Sequence, residues 1–227
     1  MAGRQTLAAG LGADAALSEI ARRLAAHQLE VLGGFHADGD VALPTGTRTL
    51  LLIGPKEPGF WPHLTAQAEW DGAPDPIDRW SRRVIGGIAC DLGAKALFPF
   101  GGPPYHPFYQ WALRTGRTWD SPVRLLVHAG QGLMVSFRGA LALKDVVALP
   151  PAATKPCGTC DKPCLSACPA GALGAGGYDV PACHGYLAGG DRNCMKSGCL
   201  VRRACPVTQG YARMPEQSGY HMRQFHK

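Results

Sequence analysis

The sequence predicts an α+β domain over residues 1–150, followed by a small cysteine-rich domain over residues 151–227. The chain has 227 residues, of which 30 are Gly and 19 are Pro, so turns are frequent and long solvated helices are few. Eight of the nine cysteines lie between Cys157 and Cys205. Hydrophobic residues make up 46% of the chain, which excludes a disordered protein and suffices for a buried core.

The first domain begins with a helix pattern and a strand pattern. Apolar residues recur at helical spacing over 14–32, and we expect the pair Gly33 and Gly34 to end that helix. The run TRTLLLIG at 47–54 is apolar and lies between two prolines, which predicts a buried strand.

A second helix is predicted over 75–92. Asp75 can cap its first turn, and Pro76 suits the first helical position. Cys90 lies off the apolar stripe of this helix, and we expect an inert, packed thiol there. The segment 94–100 is expected to form a short strand.

The remainder of the first domain is predicted to contain a loop, a short helix and two strands. A Gly/Pro loop precedes a helix over 107–114. Strands are expected over 123–129 and 133–143, on either side of Gly130 and Gly132.

A proline-rich linker is predicted over 150–156, and most of the basic excess of the chain follows it. The formal net charge is +6, and the segment from Cys157 onward carries eight Lys or Arg against four Asp or Glu. Nucleic-acid binding is one explanation, but no basic run with interleaved aromatic residues supports it. We favour local compensation of negatively charged thiolates.

The N-terminal segment lacks the continuous apolar core of a secretory signal, and the longest apolar runs are too short to span a membrane. We therefore expect a cytoplasmic protein without a membrane partner. In a reducing compartment, clustered cysteines bind metal more often than they form disulfides.

The clustered cysteines form two groups of four, and each group ends in Cys-Pro. The first group is CGTCDKPCLSACP. The second consists of Cys183, Cys194, Cys199 and Cys205. Zinc is an alternative to an iron–sulfur cofactor, but zinc sites usually use two C-x₂-C pairs and the sequence has one.

This doubled pattern resembles bacterial two-cluster ferredoxins, in which three cysteines of a group bind one cluster and the Cys-Pro cysteine binds the other. The resemblance implies two [4Fe–4S] clusters with crossed ligand sets. The first set is Cys157, Cys160, Cys164 and Cys205. The second set is Cys168, Cys183, Cys194 and Cys199. The spacings, C-x₂-C-x₃-C-x₃-CP and C-x₄-C-x₅-CP, are wider than in the family but keep all eight ligands.

The second domain is similar in more detail to the cluster domain of epoxyqueuosine reductases. The segments CLSACPAGAL and YDVPACHGYL carry this resemblance, and Cys183 matches the isolated ligand of that family. Those enzymes, like reductive dehalogenases, combine two clusters with a cobalamin-binding domain of nitroreductase-like fold. His184 follows the isolated ligand and can either donate a hydrogen bond to a cluster sulfur or face solvent.

The first domain resembles the CblC-type vitamin B12 processing proteins, which implies a nitroreductase-like, cobalamin-binding fold. Three segments carry the resemblance: PTGTRTLLLIGP, DPIDRWSRRVIGGIA and HAGQGLMVSFRGALAL. The resemblance implies a corrinoid small molecule as ligand and a low-potential electron donor as partner. Our leading hypothesis is an iron–sulfur-dependent, cobalamin-binding reductase that removes the upper ligand or reduces cobalt.

The candidate corrinoid-binding residues lie in two segments, and no catalytic residue is assigned. They are Tyr105, His106, His128, Gly130, Gly132 and Arg138. The glycines allow backbone to approach a flat ring, and the guanidinium can bind an acetamide or phosphate of the corrinoid. The plainer alternatives are a glycine turn, a surface arginine and a histidine that satisfies local polar groups.

Two other functions remain open at this point. One is a ferredoxin-type electron-transfer protein that serves a partner enzyme and binds no corrinoid. The other is a reductase of a different substrate, either similar to epoxyqueuosine reductases or dependent on flavin. We find no match to the catalytic carboxylate motif of the epoxyqueuosine reductases and no flavin phosphate signature.

Overall fold

The computed structural model describes residues 12–37, 39–40, 42–190 and 192–227. The absence of a secretory signal was predicted from the start of the chain, and most of that segment lies outside these residues. The helices are α1 (Ala13–Ala25), α2 (Phe60–Thr65), α3 (Pro76–Asp91), α4 (Phe108–Leu113), α5 (Val180–Ala188), α6 (Arg192–Ser197), α7 (Leu200–Arg203), α8 (Pro206–Gln209) and α9 (Pro215–Phe225). The strands are β1 (Leu29–His36), β2 (Thr49–Pro55), β3 (Lys95–Leu97), β4 (Thr118–Asp120), β5 (Leu126–His128), β6 (Gly139–Leu143), β7 (Leu173–Gly174) and β8 (Gly177–Tyr178). Two single 3₁₀ turns, Pro156–Gly158 and Pro163–Leu165, carry Cys157 and Cys164.

The chain divides into two compact units. Unit 1 comprises Met1–Gly116 and Ser136–Ala152, and unit 2 comprises Arg117–Val135 and Ala153–Lys227. The chain passes from unit 1 to unit 2 after Ala152, close to the domain boundary predicted at residue 150. The segment Arg117–Val135 lies in the middle of the predicted first domain, yet it groups with the cysteine-rich part of the chain.

Unit 1 is built on a four-stranded antiparallel sheet in the order β1-β2-β6-β3. Every residue of β2 is buried, as expected for a central strand with an uninterrupted apolar sequence. Helix α3 buries an apolar stripe that includes Ile77, Val84 and Ile88, as the sequence predicts. The predicted α+β class is confirmed.

The prediction of one helix over 14–32 is wrong after Ala25. Helix α1 ends there, and the chain continues into β1, which contains both Gly33 and Gly34. A Cβ atom on Gly34 would lie 2.6 Å from Leu51 Cδ2 and 2.7 Å from the Leu50 carbonyl oxygen. Gly34 therefore allows close approach of β1 to β2, and neither glycine ends a helix.

The strands predicted over 123–129 and 133–143 are shorter than expected and do not pair with each other. β5 pairs with β4 in unit 2, whereas β6 pairs with β2 and β3 in unit 1. The prediction of a packed thiol at Cys90 is also wrong, because Cys90 is an exposed residue of α3.

Unit 2 has short elements around a small core. The buried side chains of that core include two cysteines and come from both segments of the unit. They are Val123, Val127, Leu133, Cys164, Leu173, Val201 and Cys205. Within the described residues, no helix is both long and apolar enough to cross a membrane.

Candidate metal centre

A small cavity in unit 2 is lined by the side chains of four cysteines. They are Cys157, Cys160, Cys164 and Cys205. Three of them come from the first cysteine group, and Cys205 comes from the end of the second. The rest of the wall is largely apolar, with Val127 and Leu133 from β5 and the turn after it. The fold thus brings Cys205 to three cysteines that are distant from it in sequence.

The thiols around this cavity influence one another. Burial raises the pKa of the Cys157 thiol, and the nearby Cys205 and Cys160 raise it further, whereas Lys155 and Lys162 lower it. Burial also raises the pKa of the Cys164 thiol, again with contributions from Cys157 and Cys205. The thiols therefore disfavour joint ionisation unless a positively charged group is placed among them.

Two cysteines of the second set, Cys168 and Cys199, lie near Cys183, which is on α5. Burial raises the pKa of the Cys183 thiol, and the neighbouring Cys199 and Cys168 add to the rise. The Tyr178 hydroxyl donates a hydrogen bond to Cys183 Sγ over 3.4 Å, and this hydrogen bond lowers the pKa of the thiol. Cys194 is buried on α6.

A cationic side chain lies beside this second set. Arg202 follows Cys199 on α7, and its Nη1 donates to the Leu133 carbonyl oxygen over 2.9 Å. Burial lowers the pKa of this guanidinium, while Cys199 and Tyr178 act in the opposite direction. A buried guanidinium next to a thiol stabilises the ionised form of that thiol.

Among the described residues, no group of three or more His, Cys, Asp or Glu side chains is arranged to hold a metal ion. A single ion needs all of its ligands around one point, at about 2.3 Å for sulfur. A cubane binds each cysteine at a different iron, so its ligands are spread around a larger core. All nine cysteines are free thiols, so disulfides do not occupy the two sets.

Three of the predicted corrinoid-binding residues form one turn in unit 2. His128 is buried, and its Nδ1 accepts hydrogen bonds from the backbone N–H of Gly130 and Gln131 over 3.1 and 3.2 Å. Gly132 has a φ of +57°, and a Cβ there would lie 2.5 Å from Thr208 Oγ1 and 3.0 Å from Cys205 Sγ. The backbone at Gly132 therefore lies close to Cys205 of the first cysteine set.

The other three predicted residues lie in unit 1. Tyr105 is 66% exposed, and the His106 ring stacks on Trp111 with 5.5 Å between centroids. Arg138 Nη1 lies 3.6 Å from Asp78 Oδ1, and burial raises the pKa of that carboxyl while the guanidinium opposes the rise. The alternative of an isolated surface arginine does not hold, because Arg138 is mostly buried in an ion pair.

Four residues of the site were not found from the sequence: Ser121, Tyr178, Arg202 and Thr208. Thr208 Oγ1 accepts a hydrogen bond from the Leu133 N–H over 3.0 Å, which ties the turn after β5 to the helix that follows Cys205. Arg202 lies three residues after Cys199, and this spacing was an available signal in the sequence. Ser121 carries no such signal, because it lies 36 residues before the first clustered cysteine, Cys157.

Unit 2 also contains an open groove of about 520 Å³ beside both cysteine sets. Ala167, Leu200 and Ala204 line it, and each is a sequence neighbour of one of the clustered cysteines. Arg203 and Arg213 also line it and give it a positive charge. Its volume lies in the usual range for small-molecule sites, about 300–1,000 Å³.

Comparisons of this chain with protein-family models, with curated proteins and with solved structures find no match.

Proposed function

We propose that unit 2 holds two [4Fe–4S] clusters and that the chain is a redox protein that passes low-potential electrons through them. The observation that carries this proposal is the cavity shared by Cys157, Cys160, Cys164 and Cys205. A cysteine from the second group completes the set of the first group, as in the crossed pattern of two-cluster ferredoxins.

In this proposal the two cysteine sets bind separate clusters. Cys168, Cys183, Cys194 and Cys199 hold the second one. When bound, such clusters accept and release single electrons at potentials from roughly −700 to +450 mV. The protein contributes the spacing of the thiols, the apolar wall of the cavity and the buried Arg202, which offsets negative charge at Cys199.

We further propose that the electron acceptor is a corrinoid such as cobalamin, and that the reaction is cobalt reduction or removal of the upper ligand. The support is the resemblance of three segments to CblC-type proteins. In unit 1 these segments contain β2, α3 and the paired strand β6, which belong to one sheet and the helix against it. The positively charged groove beside both cysteine sets favours an acceptor with negative charge, such as the phosphate of a corrinoid tail.

A cysteine-rich protein of this kind requires a compartment that keeps its free thiols reduced before the clusters are loaded, and we propose the cytoplasm. It also requires a low-potential electron donor as a partner. We propose no contact with nucleic acid, because Lys155, Lys162 and Arg202 lie beside cysteines whose negative charge they offset.

The test is anaerobic reconstitution with iron and sulfide, followed by addition of hydroxocobalamin with and without dithionite. We expect about eight irons per chain, cobalamin that co-elutes with the protein, and a change of its visible spectrum on reduction. As a matched pair, Arg203→Gln in the groove should weaken co-elution, whereas Arg223→Gln on α9 should not.

The outcomes separate the proposals. Iron and sulfide without cobalamin co-elution would leave an electron-transfer protein that serves a partner enzyme. Flavin that purifies with the chain would instead favour a flavin-dependent reductase. Failure to bind iron and sulfide at all would refute the proposal of two clusters.

A further inference from the structure

The hydroxyl of Ser121 lies at the first cysteine set. Ser121 is in the turn between β4 and β5, and its backbone groups are already used: its N–H donates to Leu125 O over 2.9 Å, and its carbonyl accepts from Arg124 N over 3.0 Å. The residue is only 5% exposed. It lines the same cavity as the four cysteines of the first set.

Ser121 Oγ is buried and has no hydrogen-bond partner among the described residues. A buried hydroxyl without a partner is rare and destabilising, because it has lost its hydrogen bonds to water. A serine hydroxyl can donate one hydrogen bond and accept two. The structure therefore contains a donor in the cavity wall for which the protein supplies no acceptor.

The chemistry of the wall limits what that acceptor can be. Around the cysteines, Pro122, Val127 and Leu133 offer apolar side chains, and Lys162 offers only a further donor. Among the lining side chains, the acceptors are therefore the sulfur atoms of the cysteines. We propose that the Ser121 hydroxyl donates a hydrogen bond to a sulfur of the first cluster, either a sulfide or a cysteine thiolate.

This contact gives each cluster its own hydroxyl donor. At the second set, the Tyr178 hydroxyl already donates to Cys183 Sγ over 3.4 Å. A hydrogen bond to sulfur stabilises the more negative, reduced cluster and so raises its reduction potential. Ser121 and Tyr178 are thus expected to set the potentials of different clusters.

The inference rests on the proposed two clusters and is tested by redox titration of the reconstituted chain followed by electron paramagnetic resonance. Ser121→Ala should move one of the two midpoint potentials to a more negative value and leave the other unchanged. Tyr178→Phe should move the other one. Ser121→Thr keeps the hydroxyl and should restore the wild-type potential.

The matched control is Thr118→Val, which removes a hydroxyl that is also buried and unpartnered on the neighbouring β4 but does not line the cavity. It should move neither potential. An equal shift in Thr118→Val, or the same midpoint moved by both Ser121→Ala and Tyr178→Phe, would contradict the inference.

A second readout detects the proton itself. In the reduced wild-type protein, electron–nuclear double resonance in H₂O and D₂O should detect an exchangeable proton at the first cluster that is missing in Ser121→Ala, in addition to the backbone proton that Lys162 N donates to Cys160 Sγ over 3.3 Å. Iron and sulfide content is measured on every sample. Absence of both clusters would refute the proposed function, whereas two clusters with the same exchangeable protons in the wild type and in Ser121→Ala would refute the role of Ser121.

Discussion

Unit 1 and unit 2 are stabilised in different ways. In unit 1, the seven residues of β2 are all buried, and α3 adds a long apolar stripe against the sheet. In unit 2, β7 and β8 have two residues each, α7 and α8 have four, and two of the seven buried core residues are cysteines. Apolar burial can hold the first unit without a cofactor, whereas under the proposed function the second depends on the clusters that its cysteines would bind.

The largest effect is expected from removal of iron. Chelation under anaerobic conditions should abolish amide exchange protection throughout unit 2 and leave the protection of β1, β2 and β6 in unit 1 unchanged. Hydrogen exchange followed by mass spectrometry measures both units in one sample. Equal loss in the two units, or no loss in either, would remove the distinction between them.

Substitution of a single cysteine ligand should have a smaller effect than removal of all the iron. Cys205→Ser is expected to remove about half of the bound iron, because it breaks the set around one cavity and leaves the set around Cys183. Iron and sulfide analysis measures this. Cys90→Ser, which changes an exposed thiol of unit 1, is the matched control and should retain all of the iron.

The reverse experiment weakens unit 1 alone. Leu51 is fully buried in β2, and Leu51→Ala should lower the free energy of unfolding of unit 1 by about 2–5 kcal/mol through lost burial and a cavity. Thermal unfolding of the reconstituted protein gives this change. Iron content should stay at the wild-type level, and Val146→Ala at an exposed position should have little effect.

The smallest effect is expected on the stability of the fold at acidic pH. Hydrogen bonds from Arg22 and Arg23 on α1 lower the pKa of Glu19 from 4.5 to about 2. The folded-state pKa lies below the unfolded value, so the stabilisation is present above pH 4.5 and is lost as the pH falls towards 2. Glu19→Gln should be slightly less stable than wild type at pH 7, with the difference vanishing below about pH 2.

The measurement for Glu19 is the acid unfolding of unit 1, followed by the fluorescence of its tryptophans. The effect is small because the ion pairs lie on the surface of α1. A difference between variant and wild type that grows as the pH falls would contradict this account of Glu19.

The sequence predicted the central elements of unit 1 because their patterns are long. β2 lies within two residues of its predicted bounds, and α3 begins at the predicted Pro76. β1 was missed because Leu29 and Val31 continue the helical spacing of α1, and the strand forms only through its pairing with β2. Tertiary pairing of this kind overrides a local pattern.

The cysteines of the candidate site could be named from their spacing, but their surroundings could not. Spacing predicts which residues bind a cluster, whereas Ser121 and Thr208 enter the site through packing of separate segments. The assignment of Arg117–Val135 to unit 2 follows from the same contacts and has no local signature. The turn of His128, Gly130 and Gly132 was noticed, but its neighbour Cys205 was not foreseen.

The interleaving of the two units has a consequence for the order in which they are completed during translation. The sheet of unit 1 lacks β6 until residues 139–143 are made, so β2 and β3 emerge from the ribosome before the strand that joins them. The β4–β5 hairpin emerges after β3 and before β6, and it must wait for Cys205, synthesised much later, before its core is closed. During that interval Val123, Val127 and Leu133 lack their later partners, and this hairpin is the segment of the nascent chain most in need of protection from aggregation.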